Sequence, residues 1–86
     1  MTRTITPTTT PTTLYELLGS QKRHVDSGIL LQGPETNTND INFEHGGNSD
    51  MGGFVSPGKN VALPAFSTKN LWLKGDGSDV IVVTVV

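Results

Sequence analysis

Apolar residues recur along the chain in short runs of period two, separated by Gly, Pro, Asn, Asp and Ser, and this predicts a mainly β protein. Gly28-Ile29-Leu30-Leu31-Gln32, Asp40-Ile41-Asn42-Phe43-Glu44, Asn60-Val61-Ala62-Leu63 and Asn70-Leu71-Trp72-Leu73-Lys74 each read as a strand. Ile41 and Phe43 face inward, because successive side chains of a strand point to opposite faces. Gly33-Pro34 opens a polar loop through Asn39, and residues 46–58 form a long Gly- and Ser-rich loop anchored by Phe54 and Val55. The last run breaks the alternation. Val80, Val82, Thr84 and Val86 line one face, and Ile81, Val83 and Val85 line the other, so both faces need cover. The turn Gly75-Asp76-Gly77-Ser78-Asp79 joins this strand to the preceding one as a hairpin. Val80, Val82 and Val86 are assigned to the domain core, and Ile81, Val83 and Val85 to a neighbouring subunit or the 46–58 loop. A central place in a sheet would also bury both faces from within the chain.

The first thirteen residues are Thr-rich, with Pro7 and Pro11 forbidding helix. They form an extended arm or edge strand, or else a low-complexity linker. Ile5 among alternating Thr residues favours order, with the arm able to lie on a neighbour. Thr13-Leu14-Tyr15-Glu16 then fits a capping box. Leu14, Leu17 and Leu18 recur at helical spacing, and Gly19 supplies the stop. A helix this short cannot stand alone in water, so it is a plug on one end of a β core. The expected architecture is a small antiparallel β-sandwich or jelly-roll-like barrel with one short helix. Residues 14–86 form its single domain.

Size and charge then bear on how such a domain works. A chain of 86 residues buries only about 60–65% of its unfolded surface, so its stability is marginal without a staple. Cys is absent, which leaves oligomerisation as the simplest one. Charged residues make up 16% of the chain, with net charge −2, against about 25% in typical soluble domains. That disfavours a nucleic-acid partner, which leaves a basic stripe; Lys22-Arg23-His24 reads as a solvated turn. No run approaches the length of a membrane helix, and the N-terminus has no apolar signal region. A cytosolic product is expected.

Candidate chemistry is sparse. His24 and His45 each lack a second ligand at metal spacing and read as loop histidines. Asn37, Asn39, Asp40 and Asn42, like Asp76 and Asp79, resemble an oxygen-rich calcium loop, but lack its acidic spacing and closing Glu. Ordinary turn chemistry accounts for them. No nucleophile elbow or phosphate loop occurs, so no catalytic residue, metal or cofactor is assigned and the chain is not expected to be an enzyme. Trp72 falls opposite Leu71 and Leu73, at an interface or in a second core layer. Candidate interface residues are Ile5, Thr8, Trp72, Ile81, Val83 and Val85.

The order of elements resembles that of small β-sandwich structural proteins of tailed bacteriophages. The resemblance rests on Thr12-Thr13-Leu14-Tyr15-Glu16-Leu17-Leu18 after a Thr-rich strand, then Gly28–Gln32, and then Asn37–Phe43. Ser56-Pro57-Gly58-Lys59-Asn60-Val61-Ala62-Leu63 and Leu71–Gly77 leading into Val80–Val86 complete it. It covers most of the chain as a pattern with degenerate residues; the Gly/Met-rich 46–54 loop departs from it. The resemblance implies a virion component: a capsid decoration or cement subunit, a head-fibre base or a neck protein. Such a subunit would form homo-oligomers and bind the major capsid protein or another head protein. The alternative is a carbohydrate- or ligand-binding sandwich on a tail fibre, using Trp72, Tyr15 and the Asn-rich loops.

Overall fold

A computed structural model describes residues 2–19, 24–46 and 52–85. Val86, Lys22, Arg23 and the middle of the 46–58 loop lie outside them. In chain order the strands are β1 (Thr2–Ile5), β2 (Thr12–Thr13), β3 (His24–Val25), β4 (Ile29–Gln32) and β5 (Ile41–His45). Then come β6 (Gly53–Val55), β7 (Asn60–Leu63), β8 (Phe66–Ser67), β9 (Leu71–Lys74) and β10 (Ile81–Val85). A single-turn helix, α1 (Leu14–Leu17), follows β2, and a 3₁₀ turn (Thr68–Asn70) precedes β9.

Two four-stranded antiparallel sheets form, in the orders β1-β10-β4-β7 and β2-β9-β5-β6, with β3 and β8 as a separate pair. The pairing is nested. The first strand pairs with the last, the second with the ninth, the third with the eighth, the fourth with the seventh and the fifth with the sixth. The chain is therefore one long hairpin, rolled up until β10 also meets β4 and β9 meets β5. This is the strand order of a jelly roll.

Nesting overturns the expected terminal hairpin. β9 belongs to the second sheet and β10 to the first, so residues 75–80 cross between sheets. The true hairpin is β5–β6, and β6 occupies part of the stretch read as loop. His24 and His45 likewise lie in strands, not loops.

The face assignment of the last strand is also reversed. β10 sits between β1 and β4, and Ile81 and Val83 are fully buried, with Val85 close behind. They pack with Ile5, Ile29 and Leu31 against Ile41, Val55, Leu71 and Leu73 of the other sheet. Val82 and Thr84 take the outer face and remain half-buried. The reason is register: Ile5 opposes Ile81, and Leu31 opposes Val83, and paired residues share a face.

The two ends close differently. At one end Thr13 caps α1, its hydroxyl accepting from the Glu16 N–H at 3.3 Å, and Gly19 at φ 71° ends the turn. Leu14 and Leu18 are buried beneath it, as expected of a plug. Lys69 of the 3₁₀ turn lies over the Tyr15 ring at 4.8 Å, and the Arg3 guanidinium donates to the Leu18 carbonyl at 3.2 Å. At the other end the connections 6–11, 33–40, 56–59 and 75–80 are laced together. Gly75 N–H donates to Thr8 O at 2.9 Å, and Gly58 N–H to Gly33 O at 2.7 Å.

Candidate interaction site

The laced end is held by side chains that the sequence presents as oxygen-rich loops. Asn37 acts as a stand-in strand: its amide donates to Val80 O at 2.7 Å, and its carbonyl accepts from Val80 N–H at 3.0 Å. Asp79 is buried and accepts from the N–H groups of Thr38 at 3.0 Å and Asn39 at 2.7 Å. Asp76 accepts from Asp79 N–H at 2.7 Å, Ser78 N–H at 2.8 Å and the Asn39 amide at 3.1 Å. Those donors, Asp79 N–H foremost, hold the Asp76 carboxyl at about 2, below the usual 3.8. Carboxylate oxygens spent on backbone donors in this way serve turn geometry. Among the described residues no group of three or more His, Cys, Asp or Glu side chains converges as metal ligands would.

Above this end lies the outer face of the first sheet. One row of cross-strand neighbours runs Thr4, Val82, Gln32, Asn60, and the next runs Thr2, Thr84, Leu30, Ala62. None of these side chains is ionisable. The outer face of the second sheet differs, with the rows Lys74, Asn42, Phe54 and Thr13, Trp72, Glu44. Phe54 is 57% exposed and is the exposed large hydrophobic residue of the described chain. Val55 takes the inward position opposite Ile41, so strand periodicity sends Phe54 out. The expectation that both residues anchor a loop holds for Val55 alone.

A pocket of about 310 Å³ opens where the first sheet's outer face meets the laced loops. Val82, Gln32 and Asn60 line it from the sheet, and Pro34, Glu35 and Gly58 from the loops. Gly58 at φ 77° suits only glycine, and a Cβ there would come within 3.2 Å of the Glu35 stem. Sequence reasoning missed this pocket; its residues read as strand ends and turns, and what assembles it is pairing between segments remote in the chain.

The predicted interface residues are scattered by the fold. Ile5, Ile81, Val83 and Val85 are in the protomer's own core, which corrects their assignment to a neighbour: their side chains have no surface left to give. The N-terminal residues Thr2–Ile5 form an edge strand of the first sheet, paired with β10 of their own chain. Thr8 is exposed, with its hydroxyl donating to Thr10 O at 2.9 Å. Trp72 is half-buried on the second sheet's outer face, and its Nε1 is shut from solvent without a hydrogen-bond partner. An indole N–H in that state cannot donate to a sugar hydroxyl. Of the predicted set, Thr8 and the exposed part of Trp72 stay accessible, on different parts of the surface. Compared with protein-family models, curated proteins and solved structures, the chain matches none.

Proposed function

We propose that this chain is a structural subunit of a bacteriophage virion, a capsid decoration or head-associated protein that works by packing against other subunits. The observation that carries the reading is the outer face of the first sheet, where Leu30, Ala62 and Val82 are interleaved with Thr, Gln and Asn and no charge occurs. Burying a charge in an interface costs free energy unless it is paired. A face already free of charge avoids that cost, and interface cores are depleted in charged residues. The jelly roll adds support of a general kind, since it is an architecture of viral capsid domains as well as lectins. The partners are then further copies of the chain and the major capsid protein or another head protein, and the site of action is the particle. A standard interface takes about 800 Å² from each partner, roughly a sixth of the 4524 Å² this protomer exposes.

The test is mass spectrometry of purified particles produced from a genome that encodes the chain. The chain is expected in fixed stoichiometry with the capsid protein, and Leu30→Lys is expected to lower its copy number without unfolding it. Its absence from purified particles, while present in the same lysate, would defeat the reading.

A further inference from the structure

The first sheet's pocket and the exposed Phe54 occupy opposite sheets of the same sandwich. We infer that the two are socket and knob of one contact: Phe54 of one copy enters the Val82 pocket of the next. The inference rests on the reading of the chain as a subunit that acts by packing.

Three observations converge on a second copy as the occupant. The open pocket offers the apolar side chains of Val82 and Pro34 among polar neighbours, and a volume of about 310 Å³ accepts a phenyl ring. Phe54 is the large apolar side chain that the described surface leaves in water. The charges also match. Glu35 stands on the pocket wall, and Lys74 shares the cross-strand row of Phe54, two strands away, about 10 Å at the usual strand spacing. An approach that turns Lys74 toward Glu35 pairs opposite charges and turns Glu44, in the next row of the same face, away from the socket, while the strands of the first sheet's outer face carry no charge to oppose docking. Knob and socket lie on different faces, so the contact is head-to-tail. One contact leaves the pair with one free knob on one copy and one free socket on the other, so assembly runs on to a closed ring or a filament.

Sedimentation velocity of the full chain over a concentration series tests this. The native chain associates beyond its 9.2 kDa monomer. Phe54→Ser and Val82→Arg each sediment as monomers, with circular dichroism unchanged. Asn60→Arg, at an exposed position on the same socket, provides a second socket variant should Val82→Arg disturb folding. Mixing Phe54→Ser with either socket variant yields a one-to-one dimer of twice the monomer mass, because one partner retains the socket and the other the knob. Glu35→Lys weakens native association, and Lys74→Glu in the same chain restores it. A native chain that stays monomeric throughout, single variants that assemble like the native chain, or a mixture that stays monomeric each overturn the contact. None of these results bears on whether the chain is found in purified particles, so the virion reading stands or falls separately.

Discussion

Asp76 is a surface residue whose ionisation is tied to folding. Its folded carboxyl is held at about 2 by Asp79 N–H, Ser78 N–H and the Asn39 amide, against an ordinary 3.8. A depressed carboxylate contributes stability that is complete above its ordinary value and is lost as pH falls through the folded value. The thermal midpoint should therefore drop between about pH 4 and pH 2. Asp76→Asn keeps an acceptor but loses the charge, so its curve should be flatter across that window and meet the native curve at the acid end. Thermal melts of both proteins at several pH values check this, and parallel curves would sink the idea. The residue types behind this network were readable in advance as turn formers, because Asn, Asp and Gly cluster between apolar runs. Their partners were not readable. That Asn37 satisfies both backbone groups of Val80 depends on two connections meeting at one end of a rolled sheet, and no local pattern encodes that meeting.

At the scale of elements, the strands were readable and their connections were not. The alternation of Ile41 and Phe43 and the runs around Leu31, Val61 and Leu73 place strands within a residue or two of where they form. Turn chemistry at Gly75–Asp79 is compatible either with a hairpin or with a crossing between sheets, and long-range pairing decides between them. The same holds for the faces of β10, where both sides are apolar and the register with Ile5 and Leu31 selects Ile81 and Val83 for the core. Substitutions can test that selection. Ile81→Val should cost about 0.5–1.5 kcal/mol and Ile81→Ala about 2–5 kcal/mol, through lost burial and a residual cavity. Thr84→Ser on the outer face should stay within about 0.5 kcal/mol. Urea unfolding of the dilute monomer is the measurement. Were Ile81 turned toward a neighbour, its truncation would leave monomer stability unchanged.

For the whole molecule, the question is whether the protomer stands alone. A monomer of 9.2 kDa is expected to expose about 4,900 Å², and this chain exposes 4524 Å². Its radius of gyration of 11.3 Å is close to the roughly 12 Å expected for its length. The apolar strand that pointed to missing cover finds it inside the chain, between β1 and β4 and under the second sheet. The proposed association is therefore an addition to a closed fold and not a condition of it. That separates two behaviours on dilution. An obligate oligomer loses its folded state as the concentration falls, because assembly and folding are linked by mass action. Here the thermal midpoint should fall with dilution only to a floor, and that floor should match the midpoint of Phe54→Ser, which lacks the knob. Trp72 is the single tryptophan of the chain, and its shielded Nε1 makes its emission a probe of folding usable well below micromolar concentration. A red-shifted, water-exposed Trp72 spectrum on dilution at room temperature would mean that the protomer depends on its neighbours after all.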